Sequence, residues 1–121
     1  ALGILVRNLI DNAIRHSPAG GRVDVRLSTD TATVTLTVSD QGPGIPPEER
    51  ARVFEPFYRV PGSPSGGAGL GLAIVQRIVA FHGGRVGAEE GPDGRGTTMR
   101  VVLPRPDAAS SESLPAMNET P

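Results

Sequence analysis

The sequence predicts an α+β fold, a two-layer α/β sandwich in which helices cover one face of a mixed, mostly antiparallel sheet. Apolar residues recur with helical spacing over residues 2–16 and again over residues 70–82. The strand-like alternation of apolar and polar residues occurs in four segments, 22–27, 33–40, 85–90 and 97–104. A sheet built from these strands can therefore receive both helices on one side.

The first helix is predicted over residues 2–16 and is amphipathic. At about 100° per residue, its apolar side chains fill one half of the circumference and its polar side chains the other. Asn8 and Asn12 lie one turn apart beside the apolar edge. Asparagine is a mediocre helix former, and a buried amide needs hydrogen-bond partners. The pair is therefore either solvated or presents amide oxygens to a ligand.

The middle of the chain is predicted to form a hairpin, a short helix, a loop and a second long helix. DQGPGI at 40–45 ends the second strand, and PEERARVF at 47–54 predicts a short helix that begins with proline and carries acids in its first turn. Residues 59–69 are rich in Gly, Pro and Ser and predict a loop. The apolar helix over 70–82 ends at two glycines.

Composition is that of an ordinary globular domain. The 121 residues suffice for one core, and the net charge of −1 gives no indication of a nucleic-acid or membrane partner. The chain contains no cysteine, which excludes disulfides and thiolate metal sites. We expect one domain over residues 1–104 and a disordered polar tail over 105–121. Because the chain begins inside a helical pattern without methionine, we expect it to be part of a longer protein.

Two glycine-rich stretches are candidates for ligand binding. Asp40 stands at a strand end before Gly42 and Gly44, which indicates either a turn or a carboxylate that accepts a hydrogen bond from a ring amine. GGAGLGLAI at 66–74 leads from a loop into a helix, where free N–H groups favour phosphate. It lacks the strand and third glycine of the dinucleotide fingerprint and the Gly-Lys-Ser/Thr of a P-loop.

The order of the motifs is more specific than any one of them: an Asn-rich helix, DQGPGI, FEPFYR, GAGLGLAIV and GRGTT. This arrangement resembles the ATP-binding catalytic domain of bacterial two-component sensor histidine kinases, in the superfamily that includes gyrase, the heat-shock chaperone ATPases and the mismatch-repair ATPase. The resemblance runs from residue 1 to about residue 104. It implies the Bergerat-type ATP-binding fold, ATP and Mg²⁺ as cofactors, and a cytoplasmic location within a membrane-anchored sensor kinase.

The resemblance also implies roles for individual residues. Asn12 is the expected Mg²⁺ ligand, and Asn8 is expected near the phosphates. Asp40 is expected to accept a hydrogen bond from the adenine amino group, with Thr97 contributing a polar contact beneath the ring. The other residues expected to bind ATP are Arg15, His16, Gly42, Gly44, Tyr58, Arg59, Gly69, Leu70, Gly71 and Leu72.

The loop over residues 59–69 is expected to act as a mobile lid, with Phe54 and Phe57 packing against it. The chain lacks counterparts of the family's first strand and Asp-Pro helix start, so we expect an incomplete sheet. It also lacks the helices that carry the phospho-accepting histidine. His82 is interpreted as structural, because a cation suits the end of a helix.

The expected reaction follows from Asn8, which stands where hydrolytic members of the superfamily carry a glutamate. Asparagine cannot accept a proton from water at neutral pH. The resemblance therefore implies phosphoryl transfer to a histidine on the dimerisation helices of the same parent protein, for relay to a response regulator. We expect no contact with nucleic acid or membrane, a monomeric fragment and a homodimeric parent. Two alternatives stay open: a non-catalytic ATP- or ADP-binding module, and a gyrase- or chaperone-like ATPase.

Overall fold

The structure, a computed structural model, describes residues 2–60 and 69–105. Its helices and strands are α1 (Leu2–His16), β1 (Asp24–Thr29), β2 (Thr33–Ser39), α2 (Gly71–Phe81), β3 (Arg85–Glu90) and β4 (Thr97–Pro104). Most of the predicted lid and of the predicted tail, residues 61–68 and 106–121, lies outside the described residues. None of the helices that the structure describes has the length and apolar character needed to cross a membrane.

The four strands form one sheet in the order β1-β2-β4-β3, and each of the three pairings is antiparallel. Val38 pairs with Met99, and Leu36 pairs with Val101, so these apolar side chains share one face of the sheet. Both helices pack on this face. The predicted two-layer α+β sandwich is therefore confirmed, and in the described part of the chain its sheet is antiparallel throughout.

The core lies between the two helices and the central strands. Leu9 of α1, Val75 of α2 and Val101 of β4 belong to one cluster, and each is 0% exposed. Close packing of such side chains leaves little freedom in how the helices lie on the sheet. The core therefore fixes the polar side of α1 beside the beginning of α2.

Strand β1 departs from the prediction of a buried apolar face. Val25 and Leu27 pair with Val38 and Leu36 on the side of the sheet that carries the helices, yet they are 47% and 68% exposed. The helices pack mainly on each other, on β2 and on β3. Alternation indicates which face of a strand is apolar, but burial also requires a neighbouring element to cover that face.

The short helix predicted over residues 47–54 is instead two 3₁₀ turns, Pro47–Glu49 and Arg52–Phe54. A segment this short gains too few hydrogen bonds to propagate an α-helix. The second turn is held by Val53 and Phe54, which are both buried. The end of α2 follows the prediction, since Gly83 has a φ of 76° and its N–H donates to the carbonyl of Ala80.

Candidate functional site

A cavity of about 760 Å³ lies between α1, the beginning of α2 and the loops at the ends of β2 and β4. Its volume is within the range of sites that hold small organic ligands. Every residue predicted to bind ATP, with the exception of Gly42, lines this cavity. Residues from both halves of the chain thus meet at one place, and their part in binding remains a prediction.

Asp40 stands at one end of the cavity and is only 4% exposed. Its Oδ1 atom accepts hydrogen bonds from the backbone N–H of Gly42 at 2.9 Å and of Thr97 at 3.3 Å. Neither of these bonds uses Oδ2. The carboxylate is therefore oriented by two loops and keeps one oxygen available for a ligand with an N–H donor.

Two glycines allow the backbone to close tightly around Asp40. A Cβ atom on Gly42 would overlap the carbonyl oxygen of His16, and one on Gly96 would overlap the carbonyl oxygen of Asp40. Gly96 also has a φ of 75°, which L side chains rarely adopt. Gly42 is absent from the cavity wall, and its close neighbour is the carbonyl at the end of α1.

The opposite end of the cavity lies between α1 and the N-terminus of α2. A Cβ atom on Gly71 would lie 3.5 Å from Oδ1 of Asn8, so the amide of Asn8 faces the first residue of α2. The N-cap residue Leu70 makes no side-chain cap hydrogen bond, and the first N–H groups of a helix have no partner within it. Asn8 and Asn12 therefore border the cavity beside an electropositive helix end.

His16 and Arg15 complete the α1 side of the cavity. Burial lowers the pKa of His16 from its usual 6.5, the negative charge of Asp40 acts in the opposite direction, and the positive charge of Arg15 lowers it further. At neutral pH the ring is therefore uncharged and can donate one hydrogen bond and accept another.

The predicted lid-packing residues have different environments. Phe54 is 4% exposed and belongs to the core, whereas Phe57 is 68% exposed. Phe57 has a φ of 67°, an unusual value for a bulky side chain, and its N–H donates to the carbonyl of Gly69 at 2.8 Å. This bond joins the two sides of the segment 61–68, which lies outside the described residues. Tyr58 follows, with the guanidinium of Arg52 at 5.2 Å from its ring centre.

Several residues that line the cavity were not predicted from the sequence, among them Asp11, Ile45, Arg50 and Glu90. Arg50 donates from Nε to the carbonyl of Ile45 at 3.0 Å and so holds the loop after Asp40. Helical spacing could have identified Asp11, which is three residues from Asn8. No periodic signal identifies Arg50, since its position depends on the course of a loop.

The fold is that of a small α+β domain, and its cavity has the size of sites that hold small organic ligands. The chain belongs to the family of histidine kinase-, DNA gyrase B-, and HSP90-like ATPases, whose model matches residues 1–107.

Three relatives make the comparison specific. The signal transduction histidine-protein kinase/phosphatase MprB of Mycolicibacterium vanbaalenii is 52% identical over 117 residues, which cover 92% of this chain and 24% of the relative. A structure of the mycobacterial sensor histidine kinase MprB is 47% identical, with a TM-score of 0.79, and covers 85% of this chain and 71% of that chain. Full-length ShkA in complex with AMPPNP is 37% identical, with a TM-score of 0.72, over 84% of this chain and 21% of that chain.

The resemblance to the ATP-binding domain of sensor histidine kinases is thereby confirmed, together with its fold and its place among the protein-histidine kinases. The chain spans about a quarter of the length of the curated relatives it matches.

Proposed function

We propose that this chain binds Mg-ATP in the 760 Å³ cavity and donates the γ-phosphoryl group to a histidine on the dimerisation helices of a parent sensor kinase, for relay to a response regulator. The observation that carries the proposal is the placement of a fixed, buried carboxylate at one end of the cavity and of two amide side chains beside a helix N-terminus at the other. A purine base and a metal-bound triphosphate need these two environments.

The end of the cavity at Asp40 suits adenine. Its Oδ2, which accepts no hydrogen bond from residues 2–60 and 69–105, can accept one from the exocyclic amine, and Thr97 lines the cavity beside it. Guanine carries a carbonyl oxygen where adenine carries the amine, so it would place two acceptors face to face. A buried carboxylate left without a donor is costly, which favours ATP over GTP.

The end of the cavity at α1 and α2 suits a triphosphate with Mg²⁺. Amide oxygens are hard ligands that Mg²⁺ accepts alongside water and phosphate oxygens. Asn12 supplies one, and Asn8 lies one turn before it, near the phosphates. Bound Mg²⁺ would neutralise part of the phosphate charge and orient the γ-phosphate. The N–H groups at Gly71 and Leu72 and the guanidinium of Arg15 would contact the remaining phosphate oxygens.

Phosphoryl transfer needs positioning and charge neutralisation more than covalent chemistry from this domain. In the proposed reaction, the bond from the γ-phosphorus to its bridging oxygen breaks, a phosphorus–nitrogen bond forms on the acceptor histidine, and ADP leaves. Asn8 cannot remove a proton from water, so hydrolysis by this chain is expected to be slow. The domain would act on the cytoplasmic side as a monomeric unit of a homodimeric parent.

Incubation with γ-labelled ATP tests this proposal. The chain alone should neither label itself nor release phosphate rapidly, and with the parent's dimerisation helices it should label them on histidine, as an acid-labile and alkali-stable product. Rapid phosphate release by the chain alone would instead support a gyrase- or chaperone-like ATPase. Binding without transfer to intact helices would support a nucleotide-binding module.

A further inference from the structure

Asp11 is a cavity-lining carboxylate that the proposed function leaves without a role. It lies on α1, three residues after Asn8 and four before Arg15, and all three line the cavity. Its side chain is exposed. Among the ion pairs of residues 2–60 and 69–105, none joins Asp11 to Arg15. An acidic group therefore stands on the same helix face as the amides that would meet phosphate and metal.

Such a charge opposes the binding of a free nucleotide. A triphosphate carries several negative charges, and each repels a carboxylate a few ångströms away. A divalent cation between the carboxylate and the phosphates turns this net repulsion into attraction, because the cation attracts both groups. Mg²⁺ keeps several of its waters when it binds phosphates, so an exposed carboxylate can reach it through one of them.

We propose that Asp11 makes this site select the magnesium-bound nucleotide over the free nucleotide, by repelling free phosphate oxygens and by accepting a hydrogen bond from a water on the Mg²⁺ that Asn12 holds. This inference rests on the proposed function, since it requires a triphosphate in the cavity. Asp11 is thus a specificity-determining residue and takes no part in bond breaking.

The other two acidic side chains in the cavity wall cannot take this role. Asp40 is held at the base end by its bonds to two backbone N–H groups. Glu90 pairs with Thr97 across the sheet, which places it at the same end. Within the described residues, Asp11 is therefore the acidic group on the side of the cavity that holds Asn8 and Asn12.

The test is a calorimetric titration of the chain with ATP, once with saturating Mg²⁺ and once with a chelator in place of the metal. Asp11→Asn keeps the size of the side chain and removes its charge. It should weaken binding of Mg-ATP by about threefold or more and strengthen binding of metal-free ATP by about threefold, from the Coulomb energy of near neighbours in water. Both effects should shrink as ionic strength rises.

Two further variants complete the design. Asp11→Glu retains the charge and should keep most of the wild-type preference for Mg-ATP. Asp24→Asn makes the same change of net charge on the face of the sheet opposite the helices. It should leave the preference for Mg-ATP over metal-free ATP unchanged. Circular dichroism of each variant checks that it is folded.

Opposite shifts in the two titrations of Asp11→Asn would support the inference. Equal affinities in the variant and the wild type, or shifts in the same direction with and without metal, would overturn it. A wild-type chain that binds neither form of ATP would overturn the proposed function itself, which is a different result from an unchanged preference.

Discussion

Asp40 and Thr97 are joined by two hydrogen bonds that run in opposite directions: the N–H of Asp40 donates to the carbonyl of Thr97 at 2.9 Å, and the N–H of Thr97 donates to Oδ1 of Asp40 at 3.3 Å. β2 ends beside this pair and β4 begins at it. The sheet therefore holds the Asp40 side chain, which would bind the base, and the carboxylate is oriented before any ligand binds.

This geometry predicts base selectivity that depends on Asp40. In Asp40→Asn, the amide oxygen can still accept both backbone bonds, so the fold should be retained. The Oδ2 position becomes a donor that faces the adenine amine, and affinity for Mg-ATP should fall by about 1–3 kcal/mol, roughly fivefold to a hundredfold. The ratio of the affinity for ATP to the affinity for GTP should also decrease. Calorimetric titration with both nucleotides measures this, with Asp24→Asn as the control; equal binding of ATP and GTP by the wild type would exclude the role.

The proposed metal ligand leads to a second prediction. Asn12→Ala removes an amide oxygen from the cavity wall, where the residue is only half-buried, so the free energy of unfolding should change little. Binding of Mg-ATP should weaken by a few kcal/mol, because Mg²⁺ loses a ligand and the phosphate charge that the bound Mg²⁺ neutralises is left less compensated. Titration with and without Mg²⁺ shows whether the loss is specific to the metal complex. Wild-type affinity for Mg-ATP in this variant would remove Asn12 from the proposal.

The backbone closure around Asp40 predicts a loss of stability at Gly96. Its φ of 75° and the overlap of a Cβ with the carbonyl of Asp40 both oppose a side chain. Gly96→Ala should lower the free energy of unfolding by about 2–4 kcal/mol. Gly87→Ala is the matched control, since a Cβ there meets nothing within 4 Å. Chemical denaturation of both variants measures the difference, and equal midpoints would show that the loop adapts without cost.

The lowered pKa of His16 predicts a pH dependence of stability. Burial favours the neutral ring in the folded state, so the unfolded chain takes up this proton at a higher pH than the folded chain does. The contribution of His16 to the free energy of unfolding should therefore be fully present above pH 6.5 and should be lost as the pH drops through 6.5 towards the folded pKa of His16. His16→Gln should remove this part of the slope. Denaturation of both proteins between pH 7.5 and pH 5 tests it; parallel slopes would contradict the account.

Much of this fold could be predicted from the sequence because its signals are local. The predicted range of α1 and the ends of β3 and β4 agree with the structure, since periodicity and glycines mark them directly. The exposure of Leu27 could not be predicted, because it depends on where α1 lies and not on the strand itself. The same holds for Arg50, which reaches the cavity through a loop that has no periodic pattern.

The candidate site likewise contains residues that local motifs indicate and residues whose position depends on tertiary contacts. The order of the motifs indicated residues that are far apart in the chain and that line one cavity. Gly42 is the exception, because its contact with the carbonyl of His16 is a tertiary feature that no motif states. Asp11 lies on the helix face of Asn8 and lines the cavity as well, but an aspartate on the polar side of an amphipathic helix is equally typical of a solvated surface.

The central claim is that Mg-ATP occupies this cavity, and amide chemical shifts measured during a titration with Mg²⁺ and the slowly hydrolysed analogue AMPPNP test it most directly. The N–H signals of Gly42 and Thr97 at the base end and of Gly71 at the phosphate end should shift together with one saturating affinity. The N–H signals of Thr35 and Gly87, which belong to the face of the sheet opposite the helices, should not shift. Saturable shifts on the sheet face with none at Thr97 and Gly71, or no shifts at all at millimolar analogue, would contradict the claim.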